Sequence, residues 1–312
     1  MTATATPLSA SAPGSLMLLG EHAVLHGRRA LVTAVSRRIR VKLTPRADDE
    51  IHVTSALGEF VTRRDKIEVH VPLRFVLCAI EERAAALPSG LDLAIESDIS
   101  ETIGFGSSAA VTVATLAALH AWTSGTVRVE DVFRDSVNTV RRVQGVGSGA
   151  DVAASVYGGI VAYRAQPLEI QKLSATYPLV AVYSGSKMPT ADVIRFVESR
   201  RAAYPQMFEN IYDLMENSTT SAVDAIGRGD WATVGTIMNF CHGLMDAMGV
   251  SNHALSSIVY ALRAEPGMLG SKISGSGLGD CAIGLGSVAR TDFPYAVMPV
   301  DIAEQGVVVE TN

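Results

Sequence analysis

The segment Ile103-Gly-Phe-Gly-Ser-Ser-Ala-Ala110 sets Gly104 and Gly106 directly ahead of an Ala- and Leu-rich run, Ser107–Trp122, that stops at Ser124-Gly125. This pattern predicts a strong helix entered through a glycine turn, with Ser107 and Ser108 as cap candidates. Glycines let the backbone fold into a nest of N–H donors, and a helix N-terminus adds unsatisfied N–H groups and a positive dipole end. Phosphate suits such a place. The serine hydroxyls can donate to it or coordinate Mg²⁺, which keeps part of its water shell. The same residues also describe a plain strand-to-helix turn, and neither GxxxxGK(S/T) nor GxGxxG is present.

Two further glycine loops bear on that choice. Gly147-Ser-Gly-Ala-Asp151 places a carboxylate at the start of a short apolar helix, where it can accept a hydroxyl proton and where the dipole favours its charge. Ser274-Gly-Ser-Gly-Leu-Gly-Asp280 is read as following a helix and preceding the strand Cys281–Leu285. Its alternate glycines suggest close backbone approach to a ligand, or an ordinary connection.

The rest of the chain reads as strands, then helices, then strands. Ser15–Leu19, Ala30–Leu43, Ile51–Val53, Glu59–Thr62, Leu91–Ile95 and Ile160–Tyr163 carry strand patterns, with helical spacing over Val71–Ala86 and an amphipathic helix over Val129–Gln144. After the strand Leu179–Tyr183, the stretch from Thr190 to Arg263 is nearly all helical, broken near Pro205, Gly227 and Gly249, and Ala282–Leu285 and Ala296–Val300 close as strands. This order predicts an α+β chain, and 312 residues suit two domains. The boundary is placed near residue 170, giving units 1–170 and 171–312.

Composition removes several functions. A net charge of −6 argues against a nucleic-acid surface. Arg37, Arg38 and Arg40 alternate with apolar residues and read as the exposed face of a strand. Cys78, Cys241 and Cys281 lack metal-ligand spacing and read as buried reduced thiols. The N-terminus carries no secretory pattern and no apolar run reaches the ~18 residues of a membrane span. These features predict a soluble cytoplasmic protein with no membrane partner. His120, His242 and His253 belong to no HExxH or GxSxG context and read as satisfied or exposed.

The order Pro13-Gly14, Gly20-Glu21-His22, GFGSSAA, GSGAD and KISGSGLGDC resembles the GHMP kinases (galactokinase, homoserine kinase, mevalonate kinase, phosphomevalonate kinase) from residue 12 to about 285. The resemblance implies a two-domain fold, an N-terminal ATP-binding domain of the ribosomal-protein-S5 type and a ferredoxin-like C-terminal domain, with ATP between them. It implies ATP and Mg²⁺ as cofactors, a small-molecule alcohol as acceptor, and a homodimer as an allowed assembly. Carried over by residue, Asp151 is catalytic. Gly104, Gly106, Ser107, Ser108, Ala109, Gly275 and Gly277 face the nucleotide, with Ser108 also on the metal. Ser15, Glu21, His22 and Thr190 lie on the acceptor side.

Within the family, Gly20-Glu-His-Ala-Val-Leu-His-Gly27, Leu179–Val197 and Gly249-Val-Ser251 look like mevalonate kinases, which implies mevalonate as acceptor. The GSGAD loop and Gly279-Asp280-Cys281 look more like phosphomevalonate kinases, and a nucleotide-binding sensor without catalysis remains a third reading. Two departures stand out. Ser15 occupies the place of the family's usual lysine, with Lys187 and Lys272 as replacement candidates that otherwise read as exposed. The usual Mg²⁺-binding Glu is replaced by the Thr139-Val140 stretch.

Overall fold

Strand β1 (Leu8–Leu19) shows how local pattern and layering combine. Buried Leu8 and Ala10 alternate with half-exposed Ser9 and Ser11, and then every residue from Ala12 to Leu19 is buried. Its partner β2 (Ala30–Pro45) mirrors this, buried throughout Ala30–Val35 and then alternating as Ile39, Val41 and Leu43 turn inward. A strand alternates where one face of its sheet meets water and is buried throughout where both faces are covered. The computed structural model in which these strands lie describes residues 7–99 and 104–311; the first residues of the chain and Ile103 of the glycine segment fall outside.

The first sheet runs β12–β1–β2–β5–β3–β4, built from β3 (Glu50–Ser55), β4 (Gly58–Arg63), β5 (Leu91–Ser97) and β12 (Val308–Thr311), with the hairpin β6 (Ile160–Arg164) and β7 (Glu169–Leu173) branching from β2. Helices α1 (Arg74–Arg83), α2 (Ser107–Ser124), α3 (Val129–Gln144) and α4 (Ala150–Tyr157) pack on one face of it. Helix α2 is buried without a break from Ala109 to Leu119 apart from half-buried Val111, as an Ala/Leu helix with no polar stripe must be. By contrast α3 is amphipathic, with Glu130 and Asp131 in its first turn and Arg141 and Arg142 in its last, the order the helix dipole favours.

The second sheet is antiparallel, ordered β11–β8–β10–β9, from β8 (Leu179–Tyr183), β9 (Gly270–Ser274), β10 (Cys281–Leu285) and β11 (Val297–Val300). Helices α5 (Thr190–Ala203), α6 (Pro205–Gly227), α7 (Trp231–Ala247) and α8 (His253–Arg263) fill the span read as helical. A core between the halves joins Leu16, Leu19, Leu31 and Phe105 to Ala181, Ile226, Met238 and Ile283. Fully burying a large aliphatic or aromatic side chain contributes about 1.5–3 kcal/mol, so this packing is a large part of what holds the halves together.

Three strands escape the sequence pattern. β7 and β12 are short edge strands. β9 reads Gly-Ser-Lys-Ile-Ser yet is buried at every position, so its polar residues hid it. The third glycine loop therefore joins two paired strands, β9 and β10, and does not follow a helix. Arg37 and Arg40 are exposed as expected, whereas Arg38 is half-buried and donates to the carbonyls of Ser11 and Gly306. All three cysteines are buried and free. No helix among the described residues is long and apolar enough to cross a membrane.

Candidate active site

The three glycine loops and the Gly20–Gly27 loop meet at an open cleft of about 210 Å³. Ser15, Glu21, His22, Gly104, Gly106, Ser107, Ser108, Ala109, Asp151, Thr190 and Gly275 all line it. Gly277 does not line the wall. A Cβ there would come within 2.4 Å of the Val250 carbonyl, so its lack of a side chain serves the packing of the loop on Val250.

The entry to α2 differs from the expected serine cap. Its N-cap is Gly106 in the left-handed region, and no side chain caps the helix. Gly106 is required for a second reason: a Cβ would lie 2.0 Å from Ser15 Oγ, while the Ser15 N–H donates to the Phe105 carbonyl at 3.0 Å. Gly104 is likewise crowded by the chain itself. Its N–H donates to Asp280 Oδ1 at 2.8 Å, and a Cβ there would overlap the Asp280 carboxylate. The first-turn N–H groups of Ser107, Ser108 and Ala109, directed at the cleft from an 18-residue helix, are what remains for an anion.

Asp151 sits in the first turn of α4, behind the N-cap Gly149. The loop before it is fixed by Tyr163, whose hydroxyl donates to the Ser148 carbonyl at 2.7 Å, and by Arg141, which donates to the Gly147 carbonyl at 2.9 Å. Ser15 Oγ donates to Asp151 Oδ1 at 2.8 Å. Burial pushes the Asp151 carboxyl above its ordinary value; the Ser15 hydrogen bond and the Lys187 charge pull the other way, while Asp280 and Glu21 add to the rise. A raised carboxyl is a stronger proton acceptor once ionised.

On the opposite wall, Glu21 and Lys272 form a fully buried ion pair, and Lys272 also donates to the Ile273 carbonyl. Lys272 is therefore not the exposed lysine of the sequence reading, and its charge is already matched. Among the described residues, Glu21 Oε2 has no hydrogen-bond partner although it is buried at the cleft. His22, buried and with φ of 61°, places Nε2 2.9 Å from the Ser276 carbonyl. A carbonyl only accepts, so Nε2 carries the proton and Nδ1 is left as an acceptor. Burial holds the His22 pKa below its ordinary value, against the Ser276 bond that raises it.

The sequence reading named Lys187 as a candidate for the missing lysine that otherwise read as exposed, and gave Asp280 no role in the site. Lys187 Nζ lies 3.2 Å from Asp280 Oδ2, and Lys187 is the one Lys or Arg among the described residues lining the cleft. The Asp280-Cys281 pair was visible as a motif, but nothing local said what it faces. His242 is a further correction: it is buried, its Nδ1 has no partner among the described residues, and burial beside Arg263 and Lys272 pushes its pKa down to about 4. His120 is satisfied by Asp135, and His253 is exposed at the start of α8.

Comparison with known proteins agrees with this geometry. Residues 73–159 match the GHMP kinases N terminal domain and residues 222–290 the GHMP kinases C terminal domain. The mevalonate kinase of Pyrococcus furiosus is 30% identical, over 96% of this chain and 98% of that protein. That of Archaeoglobus fulgidus is 32% identical, over 96% and 99%. The crystal structure of L. major mevalonate kinase in complex with R-mevalonate superposes with a TM-score of 0.75 at 25% identity, covering 95% of each chain. Full-length similarity at this level, with both domain models matched in order across one shared cleft, makes the chain a member of the GHMP kinase family.

Proposed function

We propose that the chain transfers the γ-phosphoryl group of ATP to the 5-hydroxyl of mevalonate, giving 5-phosphomevalonate and ADP. The observation that carries this reading is the meeting, in one cleft, of the α2 N-terminus with Asp151 and the Glu21–His22 pair, in a chain about 30% identical to mevalonate kinases along its length. In the reaction the acceptor oxygen bonds to the γ-phosphorus, and the bond from that phosphorus to the β–γ bridging oxygen breaks. ADP leaves with that electron pair. Asp151 takes or orients the hydroxyl proton, with Ser15 holding Oδ1 so that the other oxygen turns to the acceptor. The first-turn N–H groups of Ser107, Ser108 and Ala109, with Gly104, Gly106, Gly275 and Gly277 shaping the loops, hold phosphate oxygens in place. Fixed orientation and charge supply most of the rate in such transfers.

Mg²⁺ fits this donor set in one manner. Among the described residues no cluster of three or more His, Cys, Asp or Glu side chains could hold a metal, so the protein itself offers the Ser108 hydroxyl and the cleft carboxylates. An ion retaining water and phosphate oxygens accepts such a site and supplies charge neutralisation on the phosphates. Glu21 Oε2 and His22 Nδ1 supply acceptors for hydroxyls, and Thr190 closes the acceptor side. A cytoplasmic location and a homodimer complete the reading, the first supported by the need for ATP and the second by the family alone.

Mevalonate is favoured over phosphomevalonate by the charge of the cleft. Among the described residues, Glu21, Asp151 and Asp280 line it against the single lysine Lys187, a poor match for a second phosphate on the acceptor. ADP release measured with mevalonate, phosphomevalonate, homoserine and galactose tests this: turnover is expected with mevalonate. Turnover with phosphomevalonate alone overturns the acceptor, and nucleotide binding without turnover on any acceptor favours the sensor reading. Asp151→Ala should lower kcat by about 10³-fold with ADP affinity retained.

A further inference from the structure

Among the described residues, the walls of the cleft hold three carboxylates, Glu21, Asp151 and Asp280, and one lysine, Lys187, with no arginine. Phosphoryl transfer brings several more negative charges into the same space, and the charge spreads over the equatorial oxygens as the bond to the leaving group breaks. Beside Mg²⁺ and the α2 N–H groups, a fixed cation of the protein facing that charge offsets the carboxylates. Lys272 cannot serve. It is fully buried behind the wall, and its donors go to Glu21 and to the Ile273 carbonyl.

Lys187 is differently placed. It stands in the segment between β8 and α5, three residues ahead of Thr190, and its ammonium is 3.2 Å from one oxygen of Asp280. The other Asp280 oxygen accepts from the Gly104 N–H at 2.8 Å. Asp280 itself is held by its backbone, whose N–H donates to the Ser186 carbonyl and whose carbonyl accepts from the Ser184 N–H. One carboxylate thus ties the lysine to the glycine loop that leads into α2. An ammonium has three donors and this pair engages one, so two remain for phosphate oxygens.

We propose that Lys187 is the residue that meets the transferring phosphoryl group with positive charge, and that Asp280 is a positioning residue that aims it from the Gly104 loop. This rests on the kinase reading above and adds to it a charge and the device that holds it. Asp280 also explains a feature that phosphate binding alone does not: Gly104 is a glycine because the carboxylate packs where a Cβ would be. Lys187 carries the charge; Asp280 sets its place.

The test uses the full chain with Lys187→Met, Lys187→Arg, Asp280→Asn and the double variant Lys187→Met/Asp280→Asn. The amide introduced by Asp280→Asn keeps an acceptor for the Gly104 N–H and loses the ionic partner, so this variant probes aim without opening the loop. Lys187→Met should lower kcat by about 10²-fold, with ADP affinity, read by calorimetric titration, within about threefold of the parent. Lys187→Arg should recover to within about tenfold. Asp280→Asn should cost about tenfold in kcat alone and nothing further in the double variant, because it acts through the lysine.

A second readout separates this from mere structural support. Asp151 is faced by Ser15, Lys187, Asp280 and Glu21, and removing the Lys187 charge lets its pKa rise further. The acid limb of the kcat/KM profile should therefore move to higher pH in Lys187→Met and not in Lys187→Arg. Parent-like kcat and pH profile in Lys187→Met overturn the proposal while the kinase reading stands. Additive losses in the double variant overturn the part given to Asp280. An inactive parent chain overturns both the kinase reading and this one.

Discussion

Two lysine–carboxylate pairs flank the cleft, and they do opposite things. Lys272 and Glu21 are sealed, with 0% and 1% of their side chains exposed. Lys187 and Asp280 stand open, at 41% and 21%. The sealed pair bridges β9 to the Gly20–Gly27 loop and spends its cation locally, so its energetic weight lies in what happens when one member is removed. The open pair is screened by water and contributes little to stability, but its cation remains available to a ligand. Burial decides which lysine is scaffold and which is chemistry.

The largest effect should come from Lys272→Met, which leaves Glu21 charged and unpaired inside the protein. A loss of about 3–5 kcal/mol in urea unfolding is expected, with much of it recovered by adding Glu21→Gln. A loss no greater than that of an exposed pair would erase the distinction between the two lysines.

Asp151 lies between the two pairs and feels both, and its own effect should be smaller and of opposite sign. Its pKa is raised in the folded protein, chiefly by burial, so the folded state holds the proton more tightly than the unfolded chain. Stability from this group is present at low pH and is lost as pH rises from the ordinary carboxylate range through the raised value. Asp151→Asn carries no charge to bury and keeps an acceptor for Ser15. It should be more stable than the parent at pH 7 by about 1 kcal/mol, while losing activity. Thermal unfolding at pH 7 and pH 4 checks this: the advantage should shrink at the lower pH, and a constant or reversed difference would contradict the assignment.

Lys187→Met should change unfolding stability by less than about 1 kcal/mol, despite its large cost in turnover. Equal losses for Lys187→Met and Lys272→Met in the same denaturation series would undo the contrast. Smallest of all, raising ionic strength from about 0.1 M to 1 M shortens the Debye length from ~10 Å to ~3 Å. The few tenths of a kcal/mol held by the open pair should fade, measured as the difference between parent and Lys187→Met, while the Lys272→Met difference stays.

The helical span from Thr190 to Arg263 was legible because Pro205, Gly227 and Gly249 lie at or near its breaks, and α3 was legible because its apolar face repeats with helical period. The strand β9 was not, since Ser271, Lys272 and Ser274 look solvent-facing and are buried by partners distant in sequence. Ser107 and Ser108 looked like caps, yet a glycine took the cap position because Ser15 packs against it. Those partners are tertiary, and no window along the chain contains them.

Residue order alone was enough for the α+β succession of elements, the three glycine loops, Asp151 at the head of a short helix, and through these the family. Local propensity and periodicity suffice for such features because their causes lie within a few residues. That Gly104 answers to Asp280, that Gly106 answers to Ser15, and that Lys272 and Lys187 have different fates came from folding. Charge and hydrogen bonding depend on what surrounds a group, and here the partners of Asp151, Gly104 and Lys272 lie 136, 176 and 251 positions away along the chain.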